Sequence, residues 1–155
     1  MRLPEISKEE ILEVYPKVAE TMADALGCDV EQVTLTVPII EGLDAESIDF
    51  LDIVFRLERA FKVKIPRGKI VEEARGDLPE AEFEKNGMVT EVGLQRLRDY
   101  LTEVPAERIR PPLKAADIPR LFTPETFCKV VVRAQRAAQA GGGAAPVDQR
   151  AMGRG

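Results

Sequence analysis

Apolar residues recur at three- and four-residue steps in three stretches of the chain, and this spacing predicts amphipathic helices. The first stretch predicts a helix over residues 8–26, opened by a capping box between Ser7 and Glu10 and ended by Gly27. Pro16 falls inside this helix and predicts either a kink or a later start. The apolar positions of the helix are Ile11, Val14, Tyr15, Val18, Met22, Ala25 and Leu26.

The second stretch predicts a helix from Ser47 to Phe61. Its apolar residues fall on two stripes, and together these are wider than a single core-facing stripe requires. We therefore expect part of this apolar surface to face something other than the core of the chain. One stripe is Ile48, Leu51 and Phe55, the other is Phe50, Val54, Leu57 and Phe61, and the polar face holds Asp49, Asp52, Arg56 and Arg59.

The segments on either side of the second helix lack helical periodicity. Residues 27–46 predict a long loop held over the core by apolar side chains, and the alternation from Val33 to Val37 leaves a short strand as an alternative. After the helix, residues 62–65 predict a short extended exit, and Pro66 prevents further helix.

Residues 67–122 alternate helix-breaking residues with short periodic stretches. They predict one or two helical turns over residues 70–74, a clearer helix over residues 89–101, and then a loop punctuated by Pro105, Pro111, Pro112 and Pro119. A structureless segment of this length is unusual in a compact domain, so we expect helices within it.

The third stretch begins at Thr123-Pro124-Glu125, which combines an N-cap, a proline in the first turn and an acid. Its apolar stripe is Phe127, Val130, Val131 and Ala134. Residues 140–155 include three consecutive glycines and have no apolar period, which predicts a disordered tail.

Composition removes several classes of function. The 155 residues include no histidine, which excludes a Ser-His-Asp triad and Cys/His zinc sites. The two cysteines, Cys28 and Cys128, lie far apart and are predicted to be small core residues. No apolar run approaches the roughly 20 residues that cross a bilayer, and no signal peptide opens the chain, so we expect a cytoplasmic protein.

The net charge of −5 is unevenly distributed. Residues 1–66 carry 7 Lys/Arg against 14 Asp/Glu, a net charge of −7, whereas residues 67–122 carry −1 and residues 123–155 carry +3. An acidic surface argues against nucleic acid as a partner and suits docking onto basic patches of other proteins.

One serine lies among acidic residues directly before the second predicted helix, in the sequence Gly42-Leu43-Asp44-Ala45-Glu46-Ser47-Ile48-Asp49. The helix is followed by Phe61-Lys62-Val63-Lys64-Ile65-Pro66, and Leu121–Phe127 opens the last helix. These motifs resemble those of acyl carrier proteins, and the resemblance covers residues 5–66 and 121–138. The chain is similar to specialised bacterial carriers with an insertion before the last helix. Ser47 as a plain helix N-cap is the alternative.

The resemblance implies an all-α, acyl-carrier-like helical bundle with an inserted helical or loop segment between helix two and the last helix. The implied division is a carrier domain over residues 1–139, with a core of 5–66 and 121–138 and an insertion of 67–120, followed by the tail. The insertion is either a structural addition or an element for partner docking or an enlarged acyl pocket. In another register, residues 89–101 would form the final helix and 123–138 an appendage.

The resemblance also implies chemistry and partners. Ser47 would carry 4′-phosphopantetheine, whose thiol holds acyl groups as thioesters, and the partners would be a phosphopantetheinyl transferase and ketosynthase- or acyltransferase-type enzymes of fatty acid or lipid biosynthesis. The carrier would be a monomer and not itself an enzyme. The implied docking residues are Asp44, Glu46, Ile48, Asp49, Asp52 and Glu58, with Asp49 contacting the transferase, and apolar contacts to acyl chain or partner come from Leu51, Val54 and Phe55.

Two other functions compete with this one. A peptidyl or polyketide carrier would share the arm, although such domains are usually less acidic around the serine. A helical interaction module would carry no prosthetic group. An enzyme is disfavoured because no spacing of Asp, Glu or Cys indicates a catalytic cluster.

Overall fold

Helices dominate the computed structural model, which describes residues 6–65 and 69–142 and confirms the all-α prediction. Among the described residues, no helix combines the length and apolar character needed to cross a membrane. The helices are α1 (Lys8–Leu26), α2 (Ile39–Leu43), α3 (Ser47–Phe61), α4 (Lys69–Arg75), α5 (Glu80–Phe83), α6 (Glu91–Tyr100) and α7 (Pro124–Gly142). Strands β1 (Glu84–Lys85) and β2 (Met88–Val89) form one antiparallel hairpin, and 3₁₀ helices span Val30–Gln32, Ala106–Arg108 and Ala115–Leu121.

Helix α1 begins and ends where its capping residues predict. The backbone N–H of Ser7 donates to Glu10 Oε1 at 3.0 Å, and the backbone N–H of Glu10 donates to Ser7 Oγ at 3.2 Å. Gly27 ends the helix in the left-handed region, at φ 69°. Pro16 lies inside the helix and does not shift its start.

The core is built around α1, which packs along both α3 and α7. The side chains of Val18 and Met22 on α1, Ile53 and Leu57 on α3, and Val131 on α7 are fully buried. Helix α6 packs mainly against α4.

The two cysteines differ in how deeply they are buried. Cys128 on α7 is fully buried, and Cys28 is half-buried and packs against the core. The prediction that they are small core residues is confirmed for Cys128, whereas Cys28 lies at the edge of the core.

The predicted loop before α3 contains the first 3₁₀ helix and the short helix α2. Residues 33–37 do not form a strand, so the strand alternative is wrong. Val33 is fully buried, and the hydroxyl of Tyr15 donates to its carbonyl oxygen at 2.7 Å, which fastens the loop to α1. Burial of single apolar anchors, rather than of one face of a strand, explains the apolar residues here.

The segment after α4 contains elements that were not predicted, namely α5, the hairpin, and two 3₁₀ helices in the expected loop. Helix α6 begins at Glu91 with Thr90 as its N-cap, two residues later than predicted, because Val89 belongs to β2. The hairpin turn is Asn86-Gly87, with φ of 55° and 80°, and this dipeptide is a strong hairpin signal that was missed.

A buried polar network joins this segment to α7. Lys129 Nζ lies 2.8 Å from Glu103 Oε1 and donates to Thr102 Oγ1 at 2.8 Å. The hydroxyl of Thr126 donates to Glu103 Oε2 at 2.6 Å. Because the side chain of Glu103 is only 1% exposed and that of Lys129 only 10%, the two charges depend on each other.

Helix α7 continues to Gly142, three residues into the predicted disordered tail. Adding a residue to an existing helix avoids the unfavourable nucleation step. A glycine there lowers helix stability by only about 1 kcal/mol relative to alanine. The rest of the predicted tail, 143–155, and Pro66 of the exit lie outside the described residues.

Candidate functional site

Helix α3 begins at Ser47, as predicted. The residue before it, Glu46, has extended backbone dihedrals, and its N–H donates to Asp49 Oδ2 at 2.8 Å. Asp49 thus helps to fix the helix start, a role in addition to the partner contact predicted for it. The first N–H groups of a helix carry partial positive charge, so this position favours an anionic substituent.

The chain before Ser47 folds back tightly on α2. Asp44 ends α2 in the left-handed region at φ 57°, and the buried Ala45 donates its N–H to the carbonyl of Ile39 at 3.3 Å. Glycine is required at position 42 because a Cβ there would overlap the side chain of Val37. The backbone position of Ser47 is therefore set by contacts on both sides of the turn.

Three phenylalanines fix the first turn of α3 against the start of α7. The ring of Phe50 stacks on that of Phe122 with centroids 5.8 Å apart, and meets that of Phe127 edge-on at 5.8 Å. Such pairs contribute about 0.5–1.5 kcal/mol each beyond their buried area. The first turn of α3, which begins at Ser47, is therefore packed against the start of α7.

One apolar stripe of α3 faces away from the core, as the excess width predicted. Ile48 is 71% exposed, Phe55 40% and Leu51 37%. The other stripe packs against the core. Ile53, which lies between the two stripes and was missed by the sequence analysis, is fully buried.

The acidic residues near Ser47 are in different environments. Asp44 and Glu46 are exposed. Asp52 pairs with Arg56 one turn later at 3.0 Å. Glu58 accepts the N–H of Ile65 at 2.6 Å, so it holds the exit segment near the far end of α3 rather than lying beside Ser47.

A group of charged residues beside α2 had no signal in the sequence. Glu41 Oε1 lies 3.0 Å from Arg108 Nη2, and Glu41 Oε2 lies 3.8 Å from Arg120 Nη1. The two arginines come from 3₁₀ helices more than 60 positions along the chain, and only the tertiary fold brings them together.

The depressions among the described residues include two of moderate volume. One, of about 350 Å³, has a charged lining of three acids and three arginines, namely Glu41, Glu107, Asp117, Arg108, Arg110 and Arg120. The other, of about 250 Å³, lies between the exit segment and α7 and is lined by Ile65, Val130, Ala134 and Ala137 with charged residues at its edge. Neither is lined by Leu51, Val54 or Phe55, the residues predicted to contact an acyl chain or a partner.

Comparison with known proteins shows which family the chain resembles. The sequence model of the family described as the phosphopantetheine attachment site matches residues 16–75, which include α3 and extend through α4. The acyl carrier protein AcpXL of Brucella melitensis is 36% identical over 70 residues, which are 44% of this chain and 75% of that protein. The chain belongs to the acyl carrier protein family.

Other acyl carrier proteins match over similar lengths. The acyl carrier protein of Rubrobacter xylanophilus is 39% identical over 61 residues, covering 39% of this chain and 72% of that protein. AcpXL of Mesorhizobium japonicum is 37% identical over 59 residues, which are 38% of this chain and 63%, just under two thirds, of that protein. No solved structure matches significantly.

Membership confirms the acyl carrier role and 4′-phosphopantetheine as the prosthetic group. Acyl carrier proteins are carriers and not enzymes, as the sequence analysis expected. They work with a phosphopantetheinyl transferase and with biosynthetic enzymes.

Proposed function

We propose that this acyl carrier protein holds acyl groups as thioesters on a 4′-phosphopantetheine arm attached to Ser47, in fatty acid or specialised lipid biosynthesis. The observation that carries the proposal is the position of Ser47 as the first residue of α3, inside the region matched by the attachment-site family. The only other serine, Ser7, caps α1 and precedes that region.

The local electrostatics support attachment at this point. A phosphodiester on Ser47 would sit at the positive end of α3, an interaction of about 0.3–1 kcal/mol at an exposed site. The arm supplies the reactive thiol, so the protein needs only to hold the attachment point in place and accessible. The turn before Ser47 and the phenylalanine contacts of the first turn of α3 hold the backbone at this point in place.

Partner enzymes dock, in this proposal, on the outward face of α3 and the turn before it. The stripe of Ile48, Leu51 and Phe55 supplies apolar area, and the exposed Asp44 and Glu46 supply charge. Val54 is half-buried and contributes less, and Asp49, Asp52 and Glu58 join the docking surface with part of their hydrogen-bonding capacity already used within the chain.

The division of the chain into a carrier core and an insertion is part of the same proposal. Residues 5–66 and 121–138 form the core, because α3 and α7 both pack along α1. The insertion, 67–120, is fastened to that core by the buried pair of Glu103 and Lys129. Family similarity continues through α4, so the departure from ordinary carriers is concentrated after residue 75.

Intact mass spectrometry tests the proposal directly. The wild-type protein is incubated with coenzyme A, magnesium and a broad-specificity phosphopantetheinyl transferase, and we expect the mass of one phosphopantetheine to be added. Fragmentation of the modified peptide should place it on Ser47. If folded protein gains no mass with several transferases, the chain is better explained as a helical module without a prosthetic group.

Replacing Ile48 with alanine tests the docking face. Because Ile48 is 71% exposed, the substitution should change stability by no more than about 0.5 kcal/mol. It should raise the transferase KM about fivefold or more, equivalent to about 1 kcal/mol of lost contact, with kcat little changed. Modification rates over a range of carrier concentrations measure both constants.

Leu12→Ala is the matched control for that experiment. Leu12 is 46% exposed on α1, so the variant removes a similar apolar group from a surface that the proposal does not use. Its KM should equal that of the wild type. Equal KM values for the two variants would remove Ile48 from the docking face.

A further inference from the structure

The insertion helps to hold the short helix that precedes Ser47. Helix α2 has five residues, far fewer than the roughly 12–15 at which an isolated helix becomes marginally stable, so tertiary contacts must hold it. It packs against the 3₁₀ helix Ala115–Leu121, and the N–H of its first residue, Ile39, donates to the carbonyl of Phe122 at 3.1 Å. The position of α2 therefore depends in part on the end of the insertion.

An ion pair makes a second connection between the insertion and α2. Arg108 Nη2 lies 3.0 Å from Glu41 Oε1, and the same nitrogen donates to the carbonyl of Arg120 at 2.9 Å. Glu41 Oε2 also lies 3.8 Å from Arg120 Nη1. The depression around these residues is lined by three acids and three arginines, so its formal charges balance within the chain. Arg108 therefore acts mainly as a contact inside the molecule, one that joins α2 to two 3₁₀ helices.

The segment that carries Arg108 is itself anchored. Ile109, the next residue, is fully buried, and its carbonyl accepts a hydrogen bond from Arg98 Nε on α6 at 2.8 Å. Glu41, in contrast, lies on a five-residue helix, and its side chain is 51% exposed. The ion pair therefore restrains α2 more than it restrains the insertion.

The restraint on α2 reaches Ser47 through the backbone. The N–H of Gly42 donates to the carbonyl of Pro38 at 2.7 Å, and the N–H of Ala45 donates to the carbonyl of Ile39 at 3.3 Å. These bonds close α2 and the turn after it, and Ser47 follows Ala45 by two residues. Opening of α2 would therefore displace the backbone immediately before the attachment site.

We propose that Arg108 is a positioning residue for the reactions at Ser47, because its pairing with Glu41 holds α2 and the turn before Ser47 in the conformation that partner enzymes bind. The proposal rests on the proposed function and gives the insertion a role in it. When the turn is closed in only a fraction of the molecules, the apparent affinity for a partner falls by that fraction. The reaction within the bound complex keeps its rate.

Arg108→Glu in the full-length carrier tests the pair, because it sets two carboxylates against each other. Hydrogen exchange measured by NMR should speed up about fivefold at the amides of Ile39, Gly42 and Ala45, whose hydrogen bonds hold α2. The KM of a phosphopantetheinyl transferase should rise about threefold with kcat unchanged. Adding Glu41→Arg to this variant restores an opposite pair and should recover part of both losses, which a general loss of stability at position 108 would not allow.

Arg110→Glu is the matched control. It makes the same change in charge two residues away, at an arginine that lines the same depression and forms no ion pair within the described residues. If charge alone mattered, a transferase with a basic carrier-binding surface would bind both variants more tightly. Positioning predicts instead that KM rises for Arg108→Glu and does not rise for Arg110→Glu.

Three results would overturn the proposal. They are equal KM shifts in Arg108→Glu and Arg110→Glu, faster amide exchange in Arg108→Glu with an unchanged KM, and no recovery when Glu41→Arg is added. Failure of the wild type itself to gain the arm would instead contradict the proposed function. The amide exchange does not depend on the arm, so the two failures can be told apart.

Discussion

The Ser47→Ala variant should gain no phosphopantetheine under conditions that modify the wild type completely. The loss is expected to be total because no other group at the start of α3 offers a hydroxyl in this position. The exchange removes a single oxygen from the first residue of a helix, where alanine is well tolerated, so the fold should be retained. Intact mass spectrometry together with far-UV circular dichroism gives both answers from one sample.

Ser7→Ala provides the control, since Ser7 and Ser47 are the only serines of the chain. Loss of the α1 cap should cost about 0.5–2 kcal/mol of stability, yet the variant should still gain one arm. Addition of an arm to Ser47→Ala and none to Ser7→Ala would exchange the two assignments. The pair thus separates the site of attachment from the general requirement for a folded substrate.

Replacing Glu103 with alanine should lower the free energy of unfolding by about 3–5 kcal/mol. The reason is that the ammonium of Lys129, whose side chain is only 10% exposed, would lose its counter-charge while remaining buried. The hydroxyl of Thr126 would also lose its acceptor. Urea denaturation followed by circular dichroism measures the change.

Two further variants show how the loss of unfolding free energy in Glu103→Ala should be interpreted. The double variant Glu103→Met with Lys129→Met removes both charges and should recover most of the loss, since a buried pair replaced by apolar residues is often neutral. Asp52→Ala breaks the exposed pair with Arg56 and should cost only about 0.3–0.5 kcal/mol. A loss below about 1 kcal/mol for Glu103→Ala would mean that the insertion is not fastened to α7 through this pair.

Capping chemistry explains why both ends of α1 and the starts of α3 and α7 could be predicted from the sequence. The bounds of α1 follow from a capping box and a left-handed glycine, which act within one turn and need no tertiary context. The start of α3 at Ser47 and that of α7 after Thr123 follow from similarly local signals.

The features that could not be predicted from the sequence depend on contacts between distant parts of the chain. Glu41 and Arg108 are 67 positions apart, and no periodicity in either segment indicates that they meet. The burial of Glu103 likewise depends on how the insertion packs against α7. The hairpin could have been predicted, because Asn86-Gly87 is a local sequence signal for a hairpin turn.

The burial of the two cysteines has a practical consequence for a carrier that bears the phosphopantetheine arm with its thiol free. Desolvation raises the pKa of the Cys128 thiol to about 12 and also raises that of the half-buried Cys28. Thiolate is the form that reacts with maleimides and alkylating reagents, so both side chains should react slowly at neutral pH. The thiol at the tip of a pantetheine arm, reaching into solvent, would then be the fastest-reacting sulfur, and dyes or crosslinkers could be placed there with both native cysteines left in place.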